Sequence, residues 1–399
     1  PQSASTSHPP LAHSLLATPL VRDLCRDVGV DLVPVRQDSR ARYILRTGWR
    51  GQSMRRFPLG VWETIKAFSR AYFVFADRKI QPESLTLDRW ARRYVGQAAL
   101  KFLLTPFIRG IYGANPSEIN VSMALPMLMV PHGHSLLSYQ LFKLRKKLFA
   151  RDKKSRTAKP ARPVMMAPRE GMCALVNALD QRLQERLGAR YRKGERIQKL
   201  PESGNVILCV PAQAASELLS HEDPVLARAL RAVVYTPLIS VTAFVPRSAL
   251  RIVPRGVGVL MAESGRRESL GILFNSSSFP GRVVDEHRVC SLTVMMGGSP
   301  RPELLRKSDE ELKAVVVSEL ESVFGLNQPA RVTLAATEFS IHRWERAVPQ
   351  YNEQLREAWQ AAGSGWCARP GHILFGNYTG QVSIRGMIES LAVIGAHSS

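Results

Sequence analysis

Hydrophobic residues in the first part of the chain recur at helical spacing. Leu16, Leu20 and Leu24 lie four residues apart, which predicts a short helix over residues 15–28. Residues 61–110 continue this periodicity over a longer distance. The first third of the chain is therefore predicted to be mainly helical.

The second half of the chain mixes helical and strand patterns. Apolar residues between Met172 and Leu187 predict an amphipathic helix that ends at Gly188, and Ser308 with Glu311 forms a capping box that starts a helix running to Gly325. Four apolar runs predict strands, at residues 205–211, 238–245, 270–275 and 291–296. The first run predicts a strand buried on both faces. This alternation favours an α/β layer beside a helical region.

Residues 98–113 form an unusually apolar segment, with Lys101 and Arg109 flanking its apolar part. Its length suits a helix buried in the core. The same pattern suits a helix lying in a membrane interface, with its basic ends toward lipid phosphates. The residues alone leave both interpretations open. No segment of the sequence approaches the roughly 18 apolar residues that a spanning helix needs.

The charge balance points to an anionic partner. The chain has 399 residues, with 55 Lys and Arg against 33 Asp and Glu, and a formal net charge of +22. Such an excess favours nucleic acid, an anionic membrane face or an acidic ligand. Seven arginines lie within residues 36–56, around a predicted strand at 43–45, and ten basic residues lie within 143–162. The second run is interpreted as a solvated loop or a polybasic patch, and its few aromatic residues argue against nucleic acid.

Residues that commonly carry metal or acid–base chemistry are scattered. The five cysteines form no C-x-x-C pair, which argues against a disulfide framework or a zinc site. His132 and His134 have no carboxylate or cysteine at ligand spacing, so a histidine pair in a loop is the favoured interpretation. The sequence contains no G-x-S-x-G, H-E-x-x-H or P-loop motif. Neither a catalytic side chain nor a metal site is predicted.

A series of longer segments is more specific. In chain order they are LCRDVGV (24–30), ARYILRTG (41–48), IRGIYGANPSEINVSMALP (108–126), VILCVPAQAASELL (206–219), GVGVLMAES (256–264), LGILFNSSSFPG (270–281), TVMMGGS (293–299), VPQYNEQL (348–355) and GNYTGQVSIRGMIES (376–390). In this order they resemble the protoporphyrinogen oxidase family, FAD enzymes within the flavin amine-oxidase superfamily. The resemblance covers residues 15–391.

The resemblance implies an α/β (α+β) fold of the p-hydroxybenzoate-hydroxylase-like or amine-oxidase type. The expected segments are a remnant of the FAD domain at 1–35, a helical membrane-associating region at 36–165 that includes the basic loop at 143–162, the second FAD part at 166–222, a sheet-based substrate domain at 223–345 and the last FAD part at 346–399. A membrane-associating region also favours the interfacial interpretation of residues 98–113.

The implied reaction is the oxidation of protoporphyrinogen IX to protoporphyrin IX in haem biosynthesis, with FAD as cofactor, O₂ as oxidant and hydrogen peroxide as product. FAD carries this chemistry, which fits the lack of predicted acid–base side chains. The expected partners are the porphyrinogen, oxygen and a membrane surface, with a homodimer as an option and no nucleic acid. The expected location is the mitochondrial inner membrane in a eukaryote, and otherwise the bacterial cytoplasm or the inner face of the plasma membrane.

Two alternatives to this reaction stay open. One is another flavin amine oxidase, such as a carotenoid desaturase, which has no need of an arginine for a propionate. The other is a non-catalytic basic derivative that binds membranes or nucleic acid.

The resemblance also assigns site residues by position. The implied substrate-binding residues are Arg42, Gly110, Gly258, Leu260, Leu273 and Met295. Arg42 is expected to pair with a substrate propionate, Gly110 to let the backbone approach the macrocycle, and the other four to flank the ring. The nearby Arg46 is expected to be dispensable. The implied FAD-binding residues are Ile197, Gly376, Val382, Ser383 and Ile384.

The chain departs from the family pattern in two places. The family's glycine-rich strand–turn–helix precedes the point where this chain begins, so we expect the 399-residue chain alone to bind FAD weakly. Gln381 stands where the family usually has glycine, and Gly386-Met387 replaces a polar–cysteine pair. Close approach of the backbone to the flavin is therefore in question at this segment.

Overall fold

A mixed seven-stranded sheet is the largest element of the computed structural model, which describes residues 13–48, 51–75, 85–149, 163–262 and 267–397. The described strands of the chain are β1 (Leu15–Ala17), β2 (Leu32–Pro34), β3 (Arg42–Gly48), β4 (Gly51–Arg55), β5 (Val164–Pro168), β6 (Val206–Leu208), β7 (Tyr235–Pro246), β8 (Gly258–Met261), β9 (Ser269–Phe274), β10 (Val289–Gly297), β11 (Glu338–Pro349) and β12 (His372–Leu374).

Helices surround this sheet and link its strands. Those in the described ranges are α1 (Pro19–Asp27), α2 (Val61–Phe73), α3 (Leu87–Tyr94), α4 (Gln97–Ala99), α5 (Thr105–Tyr112), α6 (Val121–Ala124), α7 (Leu136–Phe149), α8 (Met172–Leu187), α9 (Ala212–Leu218), α10 (Pro224–Arg231), α11 (Asn275–Ser278), α12 (Asp309–Phe324), α13 (Ala330–Ala335), α14 (Glu353–Ala362) and α15 (Ile384–His397). A π-helical turn, Leu100–Leu104, joins α4 to α5.

The strand order of the large sheet is β11-β7-β10-β9-β8-β3-β4. Its neighbouring strands are antiparallel except for β3 and β8, which run parallel with Arg42 opposite Gly258 and Leu45 opposite Met261. This one parallel pairing places residues 42–55 in the same sheet as residues 235–297. The predicted mixed α/β architecture is confirmed.

The two faces of the sheet carry different helices. On one face, Leu45, Val259 and Met261 pack into a core with α12, whose buried apolar residues are Leu312, Val316, Val317, Leu320, Val323 and Phe324. On the other face, Ile44 and Ala262 pack with Phe102 from the π-helical turn. Since side chains alternate along a strand, Arg42 and Arg46 share the second face with Ile44.

Two smaller sheets complete the fold. Strand β5 lies between β1 and β2 and is antiparallel to both. Strands β6 and β12 form a parallel pair, with Ile207 opposite Ile373. The Ile207 side chain is 54% exposed, which corrects the prediction of a strand buried on both faces. The reason is that β6 has three residues and pairs, within the described residues, with β12 alone.

Local signals placed several elements correctly. Helix α8 ends at Gly188 as predicted, and Ser308 caps α12 with its hydroxyl 3.3 Å from the Glu311 amide nitrogen. The predicted helix over residues 15–28 is shorter than expected. Its first residues, Leu15–Ala17, form β1 because Leu15 and Ala17 bury alternate side chains against β5, and Pro19 then begins the helix.

The structure corrects the interfacial interpretation of residues 98–113. Leu100, Ile108 and Tyr112 are buried in the largest core cluster, and Phe107 and Ile111 are the segment's exposed large apolar residues. This segment is therefore a core helix. Across the described ranges, no helix combines the length and the apolarity needed to cross a membrane.

The basic run at 143–162 is part helix. Residues 143–149 continue α7, which corrects the prediction of a loop there, and residues 150–162 lie outside the described residues. The predicted helical region 36–165 also differs at its start, where β3 and β4 join the large sheet. Strand β3 joins this sheet by pairing with β8, which lies more than 200 residues away in the sequence. A local sequence pattern does not show such a pairing. The division of the chain into domains stays a prediction.

Arg46 makes structural contacts that the sequence analysis did not predict. Its Nη1 and Nη2 atoms lie 2.7 and 2.8 Å from the two carboxylate oxygens of Glu63, and Nη1 also donates to the Pro58 carbonyl at 2.6 Å. The guanidinium carbon lies 3.9 Å from the centroid of the Phe102 ring. This two-pronged pair ties β3 to the start of α2.

We expect Arg46→Ala to lower the free energy of unfolding by about 1.5–3 kcal/mol, because a charge-assisted pair is lost. Hydrogen bonding to Arg46 holds the pKa of Glu63 below its usual value. A lowered folded-state pKa stabilises the fold above the ordinary value of about 4.3 and ceases to do so as the pH falls through the lowered one. Urea unfolding at pH 7 and at successively lower pH measures both effects. Arg26→Ala, which removes an exposed pair with Asp23, is the control and should change stability by less than about 1 kcal/mol.

Candidate functional site

The sheet brings five of the six predicted substrate residues onto adjoining strands. Arg42 on β3 lies opposite Gly258 on β8, and Gly258 lies opposite Leu273 on β9. Gly271, two residues before Leu273 on β9, lies opposite Leu260 on β8 and Met295 on β10. Opposed residues share a face of a sheet, so these side chains lie on the face that carries α5.

Helix α5 supplies the sixth residue. A Cβ atom at Gly110 would lie 2.5 Å from a terminal methyl of Leu260, so the helix backbone lies directly on β8 at this point. A Cβ at Gly258 would lie 2.6 Å from the carbonyl oxygen of Ile272. The structure therefore brings all six predicted residues together. At Gly110 and Gly258, close packing by itself also disfavours any larger residue.

A hydrogen-bonded junction that the sequence reasoning missed fixes the end of α5. The Ser299 amide donates to the Gly113 carbonyl at 2.7 Å, and the Asn115 amide donates to the Ser299 hydroxyl at 3.0 Å. A Cβ at Gly298 would lie 2.2 Å from the same carbonyl oxygen. In the sequence, the junction corresponds to two separate segments of small, turn-forming residues, GAN (113–115) and GGS (297–299). No local pattern shows that these two segments are in contact.

Arg42 differs from Arg46 in its surroundings. Its side chain is exposed, and Nη2 lies 4.0 Å from the Met165 sulfur. Among the described residues, no carboxylate forms an ion pair with Arg42. Its exposed guanidinium is therefore able to bind an external carboxylate, which a guanidinium can hold with two parallel hydrogen bonds.

The predicted cofactor residues near the C-terminus form a turn that leads into α15. Val382 and Ile384 are half-buried and pack against two different core clusters, while the side chains of Gln381 and Ser383 between them are exposed. The Ser383 hydroxyl accepts a hydrogen bond from the Gly386 amide at 3.1 Å. The apolar residues thus anchor the turn, and Ser383 caps the buried Gly386 amide in the first turn of the helix.

This turn fits the polar part of a flavin dinucleotide. The first amides of a helix have no partner within the helix, and they lie at the positive end of the helix dipole. Gly376 packs against Tyr378, whose hydroxyl donates to the Val210 carbonyl at 3.0 Å. The donor groups and the rigid support that a phosphate or a ribityl chain needs are present.

The two departures from the family pattern, at Gln381 and at Gly386-Met387, lie next to each other in the structure. A Cβ at Gly386 would lie 2.2 Å from the Gln381 side-chain oxygen. The Gln381 amide therefore fills the space that a side chain at position 386 would need, and the absence of a side chain at Gly386 accommodates it. The two departures compensate for each other sterically.

Ile197 is the one predicted site residue for which the structure shows no link to the others. It lies in the irregular segment after α8, is 58% exposed, and belongs to none of the hydrophobic clusters of the described residues. Its role in binding FAD stays a prediction.

Buried titratable groups near α5 are structural. Burial raises the pKa of Tyr112 to about 12, and its hydroxyl donates to the Ala124 carbonyl. Burial also raises the pKa of Tyr351, whose hydroxyl donates to the Asn377 carbonyl. Within the described ranges, no group of three or more His, Cys, Asp or Glu residues is arranged to hold a metal ion. The site can bind and orient a ligand, and its chemistry suits a bound redox cofactor.

The glycine contacts predict different responses to an added methyl group. Gly258→Ala should lower the free energy of unfolding by about 1–3 kcal/mol, because the methyl meets a fixed backbone carbonyl. Gly110→Ala meets a movable leucine methyl, so Leu260→Ala should relieve it, with a favourable coupling of about 0.5–3 kcal/mol in a double-mutant cycle. Urea unfolding of the single and double variants measures the coupling. Equal coupling of Leu260→Ala with both glycine variants would contradict this geometry.

Comparison with known proteins gives consistent family assignments. The family model described as flavin containing amine oxidoreductase matches residues 8–390. Protoporphyrinogen oxidase 1 of Spinacia oleracea chloroplasts is 26% identical over 337 residues, which cover 76% of this chain and 58% of the relative. Protoporphyrinogen oxidase of Homo sapiens is 24% identical over a match that covers 82% of this chain and 73% of the relative.

The chain spans about three fifths of the length of the first curated relatives it matches. Solved structures share its fold. Cyclohexylamine oxidase of Brevibacterium oxydans superposes with a TM-score of 0.57 at 13% identity, covering 97% of this chain and 90% of that one. The chain therefore belongs to the flavin-containing amine oxidoreductase family, whose cofactor is FAD.

Proposed function

We propose that this protein acts in the FAD-dependent oxidation of a porphyrinogen, with protoporphyrinogen IX as the substrate and O₂ as the oxidant. The observation that carries the proposal is the position of Arg42, a guanidinium without a protein carboxylate partner in the described structure, beside a row of small and apolar residues. Relatives named protoporphyrinogen oxidase support the same substrate.

The substrate's chemistry matches this arrangement. A porphyrinogen has a broad apolar ring with carboxylates at one edge. Leu260, Leu273 and Met295 are partly exposed apolar residues on this face of the sheet. Gly258 adds no side chain to it, and Gly110 lies against Leu260 at its border. Arg42 lies at the edge of this surface, where a propionate of the ring would be bound.

The protein's own residues would bind and position the substrate. FAD, when bound, supplies the electron acceptor for the oxidation. The backbone of Val382, Ser383 and Ile384, at the start of α15, would hold its polar part, and the Val382 and Ile384 side chains would fix that turn against the core. Arg42 would fix the orientation of the ring through its carboxylate, and orientation of this kind contributes strongly to rate.

Arg42→Ala should lower kcat/KM for protoporphyrinogen IX by about 10- to 150-fold, because the carboxylate loses a charged hydrogen-bonding partner. Arg42→Lys should recover only part of the loss, since an ammonium keeps the charge but not the fork. The measurement is the appearance of porphyrin fluorescence in the presence of added FAD. Coproporphyrinogen III, the substrate class named for a relative in Bacillus subtilis, is assayed in parallel to compare the two porphyrinogens.

The control for this experiment is Arg40→Ala, because Arg40 is also exposed and lies two residues away, outside β3. Arg46→Ala is unsuitable, since it removes the pair with Glu63. Equal kcat/KM for Arg42→Ala and Arg40→Ala would remove Arg42 from the site. Porphyrinogen oxidation by neither wild type nor variants, in a folded protein that binds FAD, would overturn the proposed reaction.

We also propose that the protein associates peripherally with a membrane, through α2. The helix carries a stripe of exposed apolar residues at helical spacing: Val61, Trp62, Ile65, Phe68, Tyr72 and Phe73. Lys66 and Arg70 are exposed on the same helix. Exposed apolar side chains flanked by basic residues are typical of interfacial helices, and a membrane surface suits a sparingly soluble porphyrinogen.

Trp62→Ser should weaken binding to phosphatidylglycerol vesicles by about tenfold, because about 1.5 kcal/mol of apolar burial is lost. Val225→Ser, at an exposed apolar residue on α10, is the control and should bind as wild type does. Vesicle sedimentation at two salt concentrations measures the binding. If Trp62→Ser and Val225→Ser bind equally, α2 is not the membrane-contacting surface.

A further inference from the structure

A pocket of about 440 Å³ lies among α2, α3, α7 and the π-helical turn. Its volume is in the range of small-molecule sites. Thirteen of the fifteen residues that line it are Ala, Val, Leu, Phe or Trp, and none of these described residues is charged. None of the predicted substrate-binding or FAD-binding residues lines it. The pocket is therefore a separate site with an apolar wall.

The two polar residues of the wall, Thr64 and Gln140, are already hydrogen-bonded within the protein. The Thr64 hydroxyl donates to the Gly60 carbonyl at 2.8 Å, and the Gln140 side-chain amide donates to the Met127 carbonyl at 3.2 Å. A peptide segment in the pocket would bury its own amide and carbonyl groups, each of which needs a partner. The wall therefore favours a hydrocarbon over a polypeptide or a charged molecule.

One face of α2 lines the pocket, and the neighbouring face carries the exposed apolar stripe. Thr64, Ala67, Phe68 and Ala71 line the pocket, at the spacing of residues that share one helix face. Phe68 is 56% exposed and also belongs to the stripe. The apolar surface of the stripe therefore continues into the pocket.

Contacts along α2 hold this wall in place. The two-pronged ion pair described above ties the start of the helix to β3. Further along, Arg70 Nη1 donates to the Arg92 carbonyl of α3 at 2.9 Å. Beyond the end of the helix, Phe75 forms an antiparallel bridge with Ser135, which precedes α7. The pocket is bounded by elements that are fixed to one another, as in a preformed binding site.

The π-helical turn supplies another part of the wall, because Leu103 and Leu104 both line the pocket. The two residues pack against different core clusters. Leu103 packs against the cluster that contains Leu59 and Ala99, and Leu104 packs against the cluster that contains Trp90. The pocket thus lies where two cores meet, beside a type of helical irregularity that is frequent at functional sites.

We propose that this pocket binds one unbranched acyl chain of a membrane lipid, and that it recognises the chain and not the headgroup. The choice of a membrane lipid as the source of the chain rests on the proposed association of α2 with a membrane. The pocket itself is tested in solution, without vesicles, porphyrinogen or FAD. Its failure is therefore distinguishable from failure of the proposed membrane association or the proposed oxidation.

Titration of the full 399-residue chain with cis-parinaric acid, a fatty acid whose fluorescence rises in an apolar environment, tests the proposal. We expect saturable binding of one molecule per chain. Ala67→Phe should fill the pocket from α2 and weaken binding by about tenfold, because it displaces about two buried methylene groups, each worth about fourfold in affinity. Leu137→Trp should do the same from α7. Circular dichroism and the unfolding temperature establish that each variant is folded, and the partly exposed position of Leu137 keeps the test decisive if Ala67→Phe fails to fold.

Ala335→Phe is the matched control and should bind as wild type does, since it adds the same ring at an exposed position of α13 that does not line the pocket. Dodecanol and lysophosphatidylglycerol, each below its micelle-forming concentration, are then added as competitors. Displacement of the probe by both supports binding of a lipid chain without recognition of its headgroup. The proposal would be overturned by the absence of saturable binding to wild type, by equal binding to wild type and the folded pocket variants, or by failure of either competitor to displace the probe.

Discussion

The close approach of helix α5 to the large sheet is the constraint on which the rest of the site depends. A Cβ at Gly110 would lie 2.5 Å from Leu260, and a Cβ at Gly298 would lie 2.2 Å from the Gly113 carbonyl. Gly110 lets the helix backbone approach the Leu260 side chain, and Gly298 lets the backbone after β10 meet the backbone at the end of α5. The hydrogen bond from Ser299 to Gly113 then fixes the end of the helix. The position of α5 in turn sets how much of the apolar row on β8, β9 and β10 stays uncovered.

This constraint gives the helix two different sides. Successive residues of a helix are rotated by about 100°, so Arg109 and Gly110 project in different directions. Gly110 lies against Leu260 in the proposed substrate site, whereas Arg109 Nη2 donates to the Asn115 side-chain oxygen at 2.6 Å. One side of α5 therefore borders the proposed substrate site, and the other is bonded to the junction that follows the helix.

Sequence reasoning was accurate where local chemistry decides the structure. The capping box at Ser308 and the periodicity ending at Gly188 are properties of neighbouring residues, and both elements formed where they were predicted. The surroundings of residues 98–113 could not be predicted from the sequence, because an apolar helix has the same composition in a core and in a membrane interface. The six substrate residues came from the family resemblance, and the parallel β3–β8 pairing that unites them joins segments too distant for any local pattern to specify.

The arginines of residues 36–56 show why charge alone could not locate the site. Arg36 pairs with Glu286 and Arg46 pairs with Glu63, partners that lie in other elements of the fold. A sequence count treats these residues and Arg42 as equivalent. In the folded chain, the first two are held by protein carboxylates and contribute to stability, while Arg42 has no described carboxylate partner and lies beside Gly258. What sets Arg42 apart for the proposed substrate site is its place opposite Gly258 on the sheet, which the three-dimensional pairing of strands shows and a sequence count does not.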